Sequence, residues 1–178
     1  MQYYYGDGKG KTTAAIGSAI RMAGTGKKVI VCQFFKNGDS NEVKILKSIP
    51  NITYVDNKIK YNMILRRLTD EDKLYLKNVA KSYVETLEEV MRMAGKDPEV
   101  KMVILDEFDY LYKLSKGNKE LLSKLHECII GLDGNCELII TAHEAIPKLV
   151  DWSIYVTEFK KIKHPYDYGK KAREGVEY

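Results

Sequence analysis

Gly6-Asp7-Gly8-Lys9-Gly10-Lys11-Thr12-Thr13 stands between an aromatic run, Gln2–Tyr5, and a helical pattern that begins at Lys11. Glycines at 6, 8 and 10 let the backbone turn tightly and aim several N–H groups at one point. The N-terminus of the following helix adds positive potential at the same place. Lys11 brings a point charge, and the Thr12 hydroxyl is placed to reach a divalent cation. With a strand before it and a helix after it, the stretch reads as a phosphate-binding loop. One position departs from the strict G-x-x-x-x-G-K-T spacing, because Tyr5 stands five residues before Gly10. The competing reading is a glycine-rich turn with incidental lysines, and the flanking strand and helix weigh against it.

The second half of such a site is expected at the end of another strand. Val103-Ile104-Leu105 runs into Asp106-Glu107, which puts two carboxylates at the edge of an open sheet where ligands bind. One of them should hold Mg²⁺ directly or through water, since that ion takes oxygen ligands and keeps several waters. Taken alone, the pair reads also as a helix start, with Asp106 the N-cap and Glu107 in the first turn. Asp109 reads as a first-turn helix acid.

Outward from these two motifs the chain alternates apolar runs with amphipathic segments, the pattern of a parallel α/β sheet. Expected strands are Gln2–Tyr5, Lys28–Phe34, Ile52–Val55, Lys101–Leu105, Glu137–Thr141 and Ser153–Thr157. Expected helices are Lys11–Ala23, stopped near Gly24 and Gly26; Asp70–Ala94, capped by Thr69 and ended by Gly95 and Pro98; Asn118–Ile130; and a short one over Glu144–Val150. In the long helix Leu76, Val79, Ala80, Tyr83, Leu87, Val90, Met91 and Ala94 mark one buried face. Lys36–Asn41 reads as a polar loop, and residues 57–68 as a further loop. The expectation is a single three-layer α/β domain over residues 1–178 with a mostly parallel six-stranded sheet of P-loop architecture.

Bulk composition narrows the function classes. With 178 residues, 44% hydrophobic and 30% charged, the chain is an ordinary globular one. Its net charge of +4 is too small to argue for nucleic acid. Lys58, Lys60, Arg66 and Arg67 read as a solvated loop. Cys32, Cys128 and Cys136 contain no C-x-x-C pair, which gives a zinc site little support. Cys32 and Cys136 read as small buried strand residues. No signal core and no membrane-length apolar run is present in the sequence, so the expected setting is the cytoplasm.

The C-terminal residues decide a family resemblance. Lys163-His164-Pro165-Tyr166-Asp167-Tyr168-Gly169-Lys170-Lys171-Ala172-Arg173-Glu174-Gly175-Val176-Glu177-Tyr178 resembles the K-H-P-F-D-x-G-x-K-A-x-x-G-I-E-Y ending of the ATP:corrinoid adenosyltransferases. Gly6–Thr13, Gly26-Lys27-Lys28-Val29 leading to Gln33-Phe34-Phe35-Lys36, Ile104-Leu105-Asp106-Glu107, and Val156-Thr157-Glu158 fall in the family's order. The resemblance implies a RecA-like sheet, a homodimer, a flavoprotein reductant and no membrane or nucleic-acid partner. It implies that ATP gives its 5′-deoxyadenosyl group to Co(I) of a corrinoid and that triphosphate leaves whole. ATP would lie along the loop with its phosphates reversed, exposing C5′. It further implies that residues 160–178 fold back near the nucleotide, where Lys163, His164 and Asp167 line the site.

The residue chemistry agrees with that reaction. The nucleophile is the substrate's cobalt, so the protein needs to neutralise the leaving triphosphate and align C5′. Gly6, Asp7, Gly8, Lys9, Gly10, Lys11, Thr12 and Thr13 form the nucleotide-binding set. Thr12, Asp106 and Glu107 are the metal residues, and Lys11 and Glu107 carry the catalysis. Two stretches differ from the family. Its G-F-x-W, which strips the lower axial ligand of cobalt, is replaced by Asn57-Lys58-Ile59-Lys60-Tyr61-Asn62-Met63. Tyr61 is placed to supply a corrinoid contact, and reads equally as a surface-loop tyrosine. Its T-G-R-G stands here as Thr141-Ala142-His143-Glu144, with His143 in place of an arginine. Three other functions compete: a thymidine-kinase-like phosphoryl transferase, a non-catalytic ATP- or corrinoid-binding module, and a nucleic-acid-dependent ATPase.

Overall fold

The computed structural model describes residues 1–36, 38, 40–57, 70–171 and 173–176. Six strands, β1 (Gln2–Tyr5), β2 (Lys28–Gln33), β3 (Ile52–Val55), β4 (Val100–Asp106), β5 (Glu137–Ala142) and β6 (Tyr155–Glu158), form one sheet in the order β3-β2-β4-β5-β1-β6. Every pairing is parallel, where a mostly parallel sheet was expected. The central strands are continuous apolar runs because both of their faces are covered. Their side chains divide with a period of two. Val29, Val31, Ile104 and Ile139 join Ala15, Ala19 and Ala23 of α1 (Lys11–Ala23) on one face. Ile30, Cys32, Val103, Leu105, Leu138 and Ile140 face the other side. There they meet α3 (Asp70–Lys96), α4 (Phe108–Ser115) and α5 (Lys119–Asp133) through Tyr83, Leu87, Leu111, Leu125 and Ile129. The result is the expected three-layer α/β architecture. Among the described residues, no helix is long and apolar enough to cross a membrane.

Local chemistry explains where the elements differ from expectation. Helix α2 (Asn41–Ser48) was not foreseen. It is only eight residues long and buries only Val43 and Leu46, too little periodicity to separate from a loop. Helix α3 runs through Gly95 to Lys96, because a glycine alone weakens a helix without ending it. At the end of α1, Gly24 keeps a right-handed conformation and Gly26 takes the left-handed one, with φ of 82°. The helix expected over Glu144–Val150 is α6, Pro147–Trp152. Pro147 fixes its first turn and holds Ile146 extended before it. Strand β6 starts two residues late because Ser153 still donates to Leu149 and Val150. Cys136 precedes β5 and is half-buried, donating to the Leu132 carbonyl, so it is not a buried strand residue. Thr69 and residues 58–68 lie outside the described residues.

Gly17 occupies the exposed side of α1, and a Cβ added there would meet nothing within 4 Å. Gly17→Ala is therefore expected to stabilise the protein by about 0.5–1 kcal/mol and to leave activity unchanged. Thermal denaturation checks this, and a lowered midpoint would contradict it.

A parallel sheet puts all strand C-termini on one edge. Tyr5 pairs with Ala142 and with Glu158, and Gln33 pairs with Asp106. The loops leaving β1, β2, β4 and β5 converge there.

Candidate active site

The glycine-rich loop is shaped by the chain that crosses it. After β6, residues Phe159 to Lys161 run over the loop as a strap. The Phe159 amide donates to the Tyr5 carbonyl at 2.7 Å, and the Gly8 amide donates to the Phe159 carbonyl at 2.8 Å. The Lys161 amide donates to Asp7 Oδ1 at 3.0 Å. A Cβ on Gly6 would lie 2.3 Å from the Phe159 oxygen, and one on Gly8 would lie 2.8 Å from the Phe159 and Lys160 backbone. Gly6 and Gly10 have φ of 120° and 114°. These glycines are demanded by backbone lying on backbone and by left-handed geometry. Two sequence expectations shift accordingly. The Gly8 amide is committed to the strap, and Asp7 holds the strap from outside the cavity.

Lys11 opens α1 and folds back over the loop, donating from Nζ to the Gly6 carbonyl at 2.6 Å and the Gly8 carbonyl at 2.8 Å. Partial burial holds its ammonium below the ordinary value, while Glu107, Asp106, Asp109 and Asp7 pull the other way.

Asp106, at the end of β4, is 1% exposed. Its Oδ1 accepts from Thr12 Oγ1 at 2.9 Å and Thr141 Oγ1 at 2.6 Å. Its Oδ2 accepts from Gln33 Nε2 at 2.9 Å and Lys36 Nζ at 3.0 Å. Burial alone would raise its pKa, and Lys36, Thr141 and Gln33 outweigh burial and hold it below the ordinary range. With four donors its acceptor sites are filled. Thr12 is thereby oriented, its hydrogen spent on Asp106 and its oxygen lone pairs left to face outward.

Glu107 begins α4 in the left-handed region, at φ 55°, and its amide donates to Thr141 Oγ1 at 3.0 Å. Phe35, in the turn after β2, has the same φ. Such backbone costs about 1–3 kcal/mol and is retained where position matters. Here it turns Lys36 and Glu107 toward each other, with Lys36 Nζ 3.6 Å from Glu107 Oε1. Burial, and then the neighbouring Asp106 carboxylate, keep the Glu107 carboxyl above its ordinary 4.5, against Lys36 and His143. For a carboxyl raised in the folded state, the stabilising contribution is complete below 4.5 and is lost as pH rises through the raised value. Glu107→Gln is therefore expected to raise the melting temperature near neutral pH, with the gain vanishing in acid, while activity falls. Thermal scans across pH check it, and an unchanged midpoint at neutral pH would contradict the burial argument.

These elements enclose a cavity of about 570 Å³, the size of a small-ligand site. Gly8, Lys9, Gly10, Lys11, Thr12 and Thr13 line one wall, and Lys36, Glu42 and Glu107 another. Thr141 and Ala142 from the end of β5, His143 after it, and Gly175 and Val176 from the C-terminal segment also line it. Of the residues expected from sequence, Gly6, Asp7 and Asp106 are absent from this lining. Gly6 and Asp106 lie buried behind it, and Asp7 is exposed. Tyr61 lies outside the described residues. Lys163 and His164 line a separate, smaller hollow with Pro165 and Tyr168, and Asp167 accepts from Lys161.

Sequence reasoning passed over Gln33, Lys36 and Thr141 as site residues. The available signal was a polar residue at the C-terminal end of an apolar strand, on the edge where ligands bind.

The whole chain, residues 1–178, matches the family described as ATP:corrinoid adenosyltransferase BtuR/CobO/CobP. It is 30% identical to corrinoid adenosyltransferase CobA of Salmonella typhimurium, across 98% of this chain and 83% of that protein. It is 30% identical to a corrinoid adenosyltransferase of Pseudomonas aeruginosa, across 97% and 80%. The corresponding Escherichia coli K12 protein is 29% identical, across 98% and 83%.

Proposed function

The chain belongs to the ATP:corrinoid adenosyltransferase family, and on that premise we propose that its cavity holds ATP while Co(I) of a corrinoid attacks C5′. A Co–C bond forms with the cobalt's electron pair, the C5′–O bond breaks, and triphosphate leaves with the bonding electrons. The protein is a transferase for which ATP and the corrinoid are substrates.

One observation supports this reading most directly. A phosphate loop, its half-buried lysine and an oriented Thr12–Asp106 pair meet in one cavity of a chain that matches the family from end to end. The residues then divide the work. Lys9, Lys11 and the remaining loop amides neutralise the polyphosphate, most of all as negative charge develops on the leaving oxygen. Thr13 adds a hydroxyl contact. Lys36 keeps Asp106 and Glu107 from repelling each other. Asp106 acts through Thr12, whose direction it sets.

Mg²⁺ fits the donor set. Thr12 Oγ1 and the part-exposed Glu107 carboxylate are hard oxygen donors on the cavity wall, with Asp106 acting on the ion only through Thr12. Bound there, the ion would neutralise phosphate charge that the lysines leave uncovered. The C-terminal chain closes the nucleotide site in this reading, through the strap at Phe159 to Lys161 over the loop and through Gly175 and Val176 in the lining. A flavoprotein supplies the electron that makes Co(I), the enzyme works as a homodimer in the cytoplasm, and Tyr61 contributes to the corrinoid side. The first three statements rest on family membership, and the last on the place of Tyr61 in the stretch that stands where the family has G-F-x-W.

Anaerobic mixing with MgATP and chemically reduced cobalamin tests the proposal. The Co(I) absorption should decay as inorganic triphosphate accumulates. ADP as the phosphate product would replace this reading with phosphoryl transfer of the kinase type, and binding of ATP without consumption would reduce the protein to a binding module.

A further inference from the structure

Asp109 is a buried carboxylate beside the cavity's His143. It lies in the first turn of α4, is 1% exposed, and among the described residues neither of its oxygens has a hydrogen-bond partner. Burying a charge this way is costly unless something nearby compensates. Two cations approach it. Lys113 Nζ is 4.0 Å from Oδ2 but is committed to Glu144 at 2.9 Å. His143 Nδ1 is 3.5 Å from Oδ1. His143 follows β5, is half-exposed, and lines the same cavity as the phosphate loop.

The ring has two nitrogens on opposite sides. With Nδ1 turned to Asp109, Nε2 is turned away from it, on a ring that forms part of the cavity wall. The charges around the ring come from every neighbouring element. Asp109 from the first turn of α4 and Glu107 from its N-cap favour the imidazolium, and Lys11 from α1 opposes it. Glu144 beside it is occupied by Lys113. The balance raises the ring's pKa above its ordinary 6.5, the close approach of the Asp109 carboxylate first among the causes.

We propose that Asp109 and His143 form a dyad that adds a cation to the cavity, His143 donating from Nε2 to the polyphosphate and Asp109 positioning the ring. The identity of that polyphosphate as ATP rests on the adenosyl-transfer reading above. The plainer alternative is a tie between α4 and the end of β5 with no part in binding.

Calorimetry with MgATP and turnover with reduced cobalamin, run on the wild type, His143→Gln, His143→Arg and Asp109→Asn, separate these. His143→Gln keeps a polar side chain and loses the charge. It is expected to weaken MgATP binding and to lower kcat/KM for ATP by about thirtyfold, the worth of one charge-assisted hydrogen bond. His143→Arg carries a permanent charge that reaches both Asp109 and the cavity, and should restore both values to within about threefold. Asp109→Asn should weaken binding in the His143 protein and have little effect in the His143→Arg background, where the charge needs no support. If Gln and Arg at 143 behave alike, or if Gln leaves binding and turnover within about twofold of wild type, the dyad is only a tie. Because position 143 is half-exposed, this comparison holds even if Asp109→Asn fails to fold. Wild type that makes triphosphate with His143→Gln unimpaired overturns the dyad alone. Wild type that shows the His143 dependence of MgATP binding but makes no triphosphate overturns the transfer reading alone.

Discussion

Lys11→Ala is expected to lower kcat/KM for ATP by about a hundred- to a thousandfold while the protein stays folded. The side chain reaches the centre of the loop, 2.6 Å from the Gly6 carbonyl and 2.8 Å from that of Gly8, so its charge is fixed where the polyphosphate must lie. A charge already positioned before reaction stabilises the developing oxyanion without reorganisation, and Lys9 extends from a different point of the loop. Stability should barely change, because two effects oppose. The Gly6 and Gly8 carbonyls lose a donor, but the fold also loses a desolvated ammonium. Its pKa is depressed from 10.5, so its stabilising contribution grows only as pH rises through the folded value toward 10.5 and is unfavourable near neutrality. Kinetics with reduced cobalamin and a thermal scan measure both halves. Wild-type turnover in Lys11→Ala would end the assignment of the loop.

Gly6→Ala is expected to be the most damaging single substitution for the fold near the site. The new Cβ would sit 2.3 Å from the Phe159 oxygen and 3.0 Å from the Phe159 carbonyl carbon and nitrogen, on a residue whose φ is 120°. Phe159 cannot retreat freely, since its amide is bonded to Tyr5 and its carbonyl to Gly8. Steric displacement and backbone strain together should cost about 3 kcal/mol or more and lower the melting temperature by about 6–12 °C, with loss of ATP binding. Gly10→Ala provides the contrast. Its Cβ would meet only the Phe159 ring, at 3.6 Å, so the cost there is backbone strain at φ 114° alone. Equal effects at the two positions would show that the strap does not press on the loop.

The sheet was legible in the sequence because burial on both faces writes itself as continuous apolar runs. Val103-Ile104-Leu105 and Leu138-Ile139-Ile140 gave their strands without ambiguity. Helix α1 was found at its true limits, fixed by the loop before it and the glycines after it. Short elements were harder, as α2 shows with its two buried positions. In the site, what is contiguous in sequence was readable: the loop from Gly6 to Thr13 and the pair Asp106-Glu107. What the fold assembles was not. Gln33 reaches Asp106 because β2 and β4 pair in that register, and Thr141 reaches it from β5. Asp7 looked like a phosphate contact because of its neighbours, and only the return of the chain at Lys161 shows what it holds. The pairing of Asp109 with His143 joins residues from two elements whose proximity no local pattern encodes.

In the proposed reaction the bond broken in ATP is the one between C5′ and its oxygen. ATP carrying ¹⁸O in the bridge between C5′ and the α-phosphorus, turned over with reduced cobalamin, tests it by mass spectrometry of the products. Attack at C5′ sends the label into inorganic triphosphate and none into an adenosine product. Label retained on adenosine, as in ADP or AMP, would contradict it.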